Sequence, residues 1–224
     1  MIIPYRVDTL FQRTPWANIA ILVLNVVCFV LVSVGVIPDS VVSQLVLREW
    51  NLSELITHQF LHANILHLVF NMIYLWVFGN AVCAVVNEWI YPGLYLMLGV
   101  FAGAVHMLLN GAPVIGASGA ISGLMGMYLA IYPTNKISCW YILFIRPGTF
   151  DLDGYILIII WFGLELFDAF TGGGQVAYWA HVGGFVGGFL AAVIFLKLDL
   201  VDRTNCDLPT VLELFRRKGG NGDG

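Results

Sequence analysis

The chain has 224 residues, 59% of them hydrophobic and 11% charged, with a formal net charge of −4 and a mean hydropathy of +0.86. Those values lie far outside the soluble range and place the chain among polytopic membrane proteins. The lipid bilayer is its expected surroundings, and no basic patch points to nucleic acid as a partner.

Charged residues gather in short segments between apolar runs of roughly 16 to 22 residues, about what a helix needs to cross the hydrocarbon layer. Six such runs are legible, so the expected fold is an all-α, six-transmembrane-helix bundle. Residues 1–16 read as a cytoplasmic N-terminal tail, 17–198 as the membrane domain and 199–224 as a cytoplasmic C-terminal tail. No cleavable signal peptide is expected, because the first segment is polar and no A-x-A site follows the first apolar run. Cys28, Cys83, Cys139 and Cys206 are scattered without CxxC spacing, which indicates neither a disulfide framework nor a zinc site.

The first predicted helix, about Ala17 to Gly35, is uncharged and follows Pro15 and Trp16, which mark an interface end. Its Asn25 is expected to hydrogen-bond a neighbouring helix, since an unpaired amide in lipid is costly. Pro38 to Asn64 alternates apolar with polar residues and reads as an interfacial amphipathic segment, a membrane-associated first loop. The second predicted helix, about Ile65 to Val86, opens with His67 and Asn71, which share a face at i and i+4.

The third, about Tyr91 to Leu109, carries Gly99, Gly103 and His106 and runs into the irregular stretch Asn110 to Ala117. The fourth begins at Ser118 and ends near Ile131 before Pro133, about fourteen residues or ~21 Å, too short to span. The fifth, about Tyr155 to Phe170, contains Glu165 and Asp168. "TGGGQ" then leads to the sixth, about Trp179 to Leu198, which opens with "AHVGGFVGG". One short surface helix and a disordered glycine-rich end are expected in the tail.

Lysine and arginine set the orientation. One side receives Arg6, Arg13, Lys136, Arg146, Lys197, Arg203, Arg216, Arg217 and Lys218, the other only Arg48, so both termini are expected in the cytoplasm. A cell inner or plasma membrane fits that arrangement.

A short fourth helix rising from the cytoplasmic face leaves Ser118 several ångströms below the outer surface. The glycine-rich stretch descending to meet it needs water or protein partners, hence a cavity open to the outside. His181 lies sixteen residues before Lys197 and Ser118 fifteen before Pro133, so both sit ~22 to 24 Å from their cytoplasmic ends. Asn71 and His67 reach about the same layer from the second helix. Gly119 and Gly123 on one helix, with Gly184 and Gly188 on the other, let the backbones approach. Packing alone would account for those glycines and Ser118, but not for His181 beside them or for the broken helix.

The chemistry that fits is nucleophilic catalysis: His181 takes the Ser118 proton and returns it to the leaving amine, with no cofactor and no metal. Backbone N–H groups at the helix start stabilise an oxyanion, and Asn71 and His67 can add donors.

With Gly116-Ala117-Ser118-Gly119, His181 in "AHVGG" and His67-x-x-x-Asn71, the sequence resembles the rhomboid family of intramembrane serine proteases. The resemblance implies a Ser118–His181 dyad without an acidic third member. It implies an oxyanion hole from the Ser118 N–H, His67 and Asn71, cleavage of transmembrane protein substrates after a small residue, and opening of the fifth helix and the loop over the site. Two departures stand out. Ser53-Glu54 occupies the place of a tryptophan–arginine pair, with Arg48 and Trp50 nearby, and Ser122 stands where an aromatic residue stacks on the histidine, so His181 must be oriented otherwise.

His58 and His62, read with His67, could form a metal cluster, but structural hydrogen bonding is the expectation, as it is for His106. Glu165 and Asp168 could be a third catalytic member or line the cavity; ordinary solvation near the outer helix end is the expectation. Two further readings are a catalytically inactive rhomboid-like binder of transmembrane helices, which should lack a dyad residue, and a small transporter, which should show inverted repeats.

Overall fold

The computed structural model describes residues 2–9, 13–143, 146–171, 176–204, 206 and 208–219. The fold is mostly helical. Among the described residues, five helices are long and apolar enough to cross a membrane: α1 (Trp16–Ser33), the run Ile65–Cys83, α6 (Tyr91–Leu109), α8 (Gly154–Thr171) and α9 (Tyr178–Lys197). Between α6 and α8 lies the shorter apolar helix α7 (Ser118–Ile131). The predicted third and fourth helices coincide with α6 and α7. Residues 172–175 of "TGGGQ" and the glycine-rich end, 220–224, lie outside the described residues.

α1 shows its apolar side chains outward and its amides inward. In α1 the buried residues are Asn18, Ile21 and Asn25, one stripe at helical spacing, while Val23, Val26, Val27 and Val30 face outward. The Asn25 amide donates to the Ile21 carbonyl of its own helix at 2.9 Å, and its side chain also faces the Tyr95 hydroxyl of the neighbouring α6. Asn18 is a second interhelical link. The run Ile65–Cys83 comprises α4 (Ile65–Tyr74), a π-helical turn (Leu75–Gly79) and α5 (Asn80–Cys83). Such a turn interrupts the i to i−4 ladder, and Asn18 Nδ2 caps the Leu75 carbonyl at 3.0 Å while also reaching Asn80 Oδ1 at 2.8 Å. Tyr91 of α6 donates its hydroxyl to Asn18 Oδ1 at 2.7 Å.

The first connection holds α2 (Asp39–Leu45), α3 (Leu52–Thr57) and a 3₁₀ turn (His58–Phe60). It does more than lie on a surface, because Leu47, His58 and Gln59 are buried in protein. The Gln59 side chain fills the space left by Gly99 of α6.

An all-α fold is not what forms. β1 (Ile2–Val7), β2 (Lys136–Leu143) and β3 (Arg146–Asp153) make an antiparallel sheet in the order β1-β2-β3. Ile2 pairs with Tyr141 and Val7 with Ile137, with a register shift between Pro4 and Arg6, and Tyr5 stacks on Trp140 at 4.6 Å. The apolar alternation in β2 is short enough to be absorbed into a loop reading, and β1 has no pattern of its own. The expected tail helix is α10 (Val211–Gly219), opened by a Thr210–Glu213 capping box: the Thr210 N–H donates to Glu213 Oε2 at 2.7 Å.

Candidate active site

The irregular stretch 110–117 is tied to the first connection. Leu47 and Val114 exchange backbone hydrogen bonds at 3.2 and 3.0 Å, and the Gly116 N–H donates to the His58 carbonyl at 2.9 Å. His106 Nε2 donates to the Ala112 carbonyl at 2.9 Å. Gly116 then takes φ +123°, open in practice only to glycine, and a Cβ there would come within 2.8 Å of His67 Nε2. From this bend α7 starts at Ser118 with no side-chain cap, so its first N–H groups have no intrahelical partner.

α7 is buried on nearly every side, and two of those sides are glycine. Gly119 and Gly123 pack on Ala102 and Leu98 of α6, while their carbonyls lie against Gly184 and Gly188 of α9. Gly126 in turn faces the Phe185 carbonyl. A side chain at Gly126, Gly184 or Gly188 would meet backbone, so α7 and α9 touch main chain to main chain.

That contact brings Ser118 and His181 together: His181 Nε2 lies 2.8 Å from Ser118 Oγ. On the other edge of the ring, Nδ1 lies 2.7 Å from Glu165 Oε2 of α8. A carboxylate only accepts, so Nδ1 carries the proton and the Nε2 lone pair faces the hydroxyl. This corrects the expectation of ordinary solvation for Glu165. Asp168, one turn further, makes no such contact among the described residues and is half-buried.

Ser122 donates its hydroxyl to the Ser118 carbonyl at 2.8 Å and leaves the ring alone. Orientation of His181 comes instead from Glu165, from Trp161 of α8, tilted 32° to the ring with centroids 6.4 Å apart, and from Tyr178, edge-on at 6.5 Å. Trp161 and Glu165, at i and i+4, share one face of α8.

His67 and Asn71 converge on the same place. Asn64 caps α4 by accepting from the His67 N–H at 2.9 Å, and the Ala63 N–H reaches His67 Nδ1 at 3.4 Å, leaving Nε2–H directed at Gly116. Asn71 Nδ2 is buried, with no hydrogen-bond partner among the described residues. Ser118, His181, His67 and Asn71 all line a cavity of about 540 Å³, and a second of about 280 Å³ adjoins it between Ser118, Ser122, Trp161 and Glu165. A wider apolar groove of about 650 Å³ lies between α1, α4 and the sheet, away from these groups.

In the first connection, the Glu54 carboxylate accepts the N–H groups of Arg48 and Glu49 at 2.8 and 3.0 Å, which holds its pKa below the usual range. Glu54 thereby anchors the loop where the tryptophan–arginine pair is missing. His58 Nδ1 donates to the Glu54 carbonyl at 2.8 Å, and burial lowers its pKa. His62 sits edge-on to His67 with ring centroids 5.1 Å apart; burial, then His67, depress its pKa to about 4, against the opposing effect of a hydrogen bond with the Phe60 backbone.

A family model described as Rhomboid domain matches residues 49–198. The chain belongs to the rhomboid family. The match runs from the first connection through α9 and leaves α1 outside. Similar rhomboids include Rhomboid protease GluP of Bacillus subtilis (strain 168), 31% identical over 162 residues, 72% of this chain and 29% of that protein. RHOMBOID-like protein 6, mitochondrial, of Arabidopsis thaliana is 33% identical over 145 residues, 63% of this chain and 43% of its own. Rhomboid protease GlpG of Salmonella newport (strain SL254) is 25% identical over 147 residues, 62% and 46%. The chain therefore spans less than half the length of each of these relatives. With its family and its apolar helices, this rhomboid is an integral, multi-pass membrane protein.

Proposed function

We propose that this rhomboid is an intramembrane serine endopeptidase acting on transmembrane segments of other proteins, its six apolar helices forming a bundle with the short α7 at the centre. The observation that carries the reading is the 2.8 Å approach of His181 Nε2 to Ser118 Oγ at an uncapped helix start inside a cavity. The names of the protease relatives support it.

His181 accepts the Ser118 hydroxyl proton as Oγ attacks the substrate carbonyl carbon. The oxyanion is met by the Ser118 N–H, the Asn71 amide and His67 Nε2–H, donors fixed before substrate arrives. Asn71 is the stronger candidate, since its Nδ2 already sits unpaired. His181 then protonates the leaving amine, and water, activated by the same ring, hydrolyses the ester. The presence of both Ser118 and His181 weighs against an inactive binder, and a single short helix without an internal repeat weighs against a transporter.

The test is cleavage of a single-span substrate by the purified chain in liposomes. Ser118→Ala and His181→Ala should each lower turnover by about 10³-fold or more, and a fluorophosphonate should label wild type but not Ser118→Ala. Undiminished cleavage by Ser118→Ala overturns the reading.

A further inference from the structure

Imidazole has two ring nitrogens, and in this rhomboid both are engaged. Nε2 meets Ser118 Oγ at 2.8 Å and Nδ1 meets Glu165 Oε2 at 2.7 Å, so the three groups form one line across α7, α9 and α8. The side chains of His181 and Glu165 are 11% and 16% exposed, a setting in which a carboxylate acts on the ring with little competition from solvent.

The contact is built in register. His181 and Phe185 are one turn apart on α9, as are Trp161 and Glu165 on α8. Phe162 stacks on Phe185 at 4.4 Å, and Trp161 leans on both Phe185 and His181. α8 otherwise buries only Gly154 and Ile158, so the Phe162 stack and the Glu165 bond fix its upper half. Ser122, too small to pack on the ring, leaves the space that Trp161 and Glu165 border.

We infer that Glu165 is a positioning residue for His181, holding the Nδ1–H tautomer and the ring plane so that Nε2 points its lone pair at Ser118, and stabilising the imidazolium formed during acyl transfer. The inference rests on the protease reading above. As the Oγ–carbon bond forms, the hydroxyl proton moves to Nε2 and Glu165 stays ionised beside the charged ring. When the carbon–nitrogen bond breaks, that proton goes to the leaving amine. Water then gives a proton to Nε2 as its oxygen attacks the ester, and Oγ recovers it on departure.

The test uses the full chain in detergent micelles with ¹⁵N-labelled histidine, comparing wild type, Glu165→Gln and Glu165→Asp. The other ionisable groups around His181 are His67 from α4, His106 from α6, and Tyr178 on α9, with Asp168 of α8 near Tyr178. These stay constant across the series. Glu165→Gln should lower kcat about 10²- to 10⁴-fold with KM within about three-fold. It should weaken the Nδ1–H signature of the ring nitrogens, and Glu165→Asp should restore that signature in part. An unmoved ring spectrum in Glu165→Gln overturns the inference, and so does a kcat within about two-fold of wild type. If wild type cleaves nothing, the protease reading fails and the ring spectrum alone decides whether Glu165 positions His181.

Discussion

Asn71 keeps a buried amide donor without a partner among the described residues, an arrangement that costs about 1–3 kcal/mol in an apolar setting. A donor left unpaired at rest is one that a developing oxyanion can take. Asn71→Ala should therefore lower kcat about 10²- to 10³-fold while KM changes little, and a thermal melt should show no loss of stability. A melt lowered by more than a few degrees would mark Asn71 as a packing residue. His62 makes the opposite use of burial. With a folded pKa of about 4 against ~6.5 when unfolded, the unfolded chain binds more protons between those values, so stability is full above pH ~6.5 and falls as pH drops toward 4. The loss attributable to His62 is on the order of 2–3 kcal/mol. Melts of wild type and His62→Leu from pH 7.5 to 4.5 should show a shallower acid slope in the variant, with the remainder from His58, also depressed by burial.

At the scale of elements, the α7–α9 contact admits no Cβ at Gly188, where the neighbour is the Gly123 backbone rather than a movable side chain. Gly188→Ala should push the helices apart, destabilise the chain by about 1–3 kcal/mol and misplace His181 relative to Ser118, read together as a lowered melt and lost cleavage. Gly163→Ala on α8, where a Cβ meets nothing, is the control and should leave both unchanged or raise stability slightly. These helices were legible because length and glycine spacing are local properties: α6 and α7 could be bounded from Pro92, Asn110, Ser118 and Pro133 alone. Ser118 and His181 were legible as depth matches along their own helices. Glu165 was not, because its contact depends on how α8 turns about its axis, which the Phe162–Phe185 stack decides and no local pattern records. The sheet escaped for a similar reason, since β1 becomes a strand only by pairing with β2, far along the chain, as Ile2 does with Tyr141 and Val7 with Ile137.

For the whole molecule, the contacts sort the connections into two groups without reference to any charge rule. β1 pairs with β2, Asn135 Nδ2 donates to the Asp8 carbonyl at 2.6 Å, Arg13 meets Asp202 at 3.6 Å, and the Asp202 N–H donates to the Val85 carbonyl at 2.8 Å. The start of the chain, the segment after α7 and the start of the tail thus share one end. Leu47 bridges to Val114 and the His58 carbonyl to Gly116, so the first connection and the stretch before Ser118 share the other. That grouping matches the partition of lysine and arginine, nine of ten on the first end, yet contacts alone do not say which end faces the cytoplasm. By the positive-inside rule we propose that the Ser118 cavity faces outward. In a chain whose four cysteines are replaced by serine, Glu49→Cys in intact cells should react with a membrane-impermeant maleimide, whereas Arg6→Cys should react only after permeabilisation. Both positions are exposed, so accessibility reports sidedness rather than burial. Labelling in the reverse order would turn the molecule over and put the cavity, and the substrates it could reach, on the cytoplasmic face.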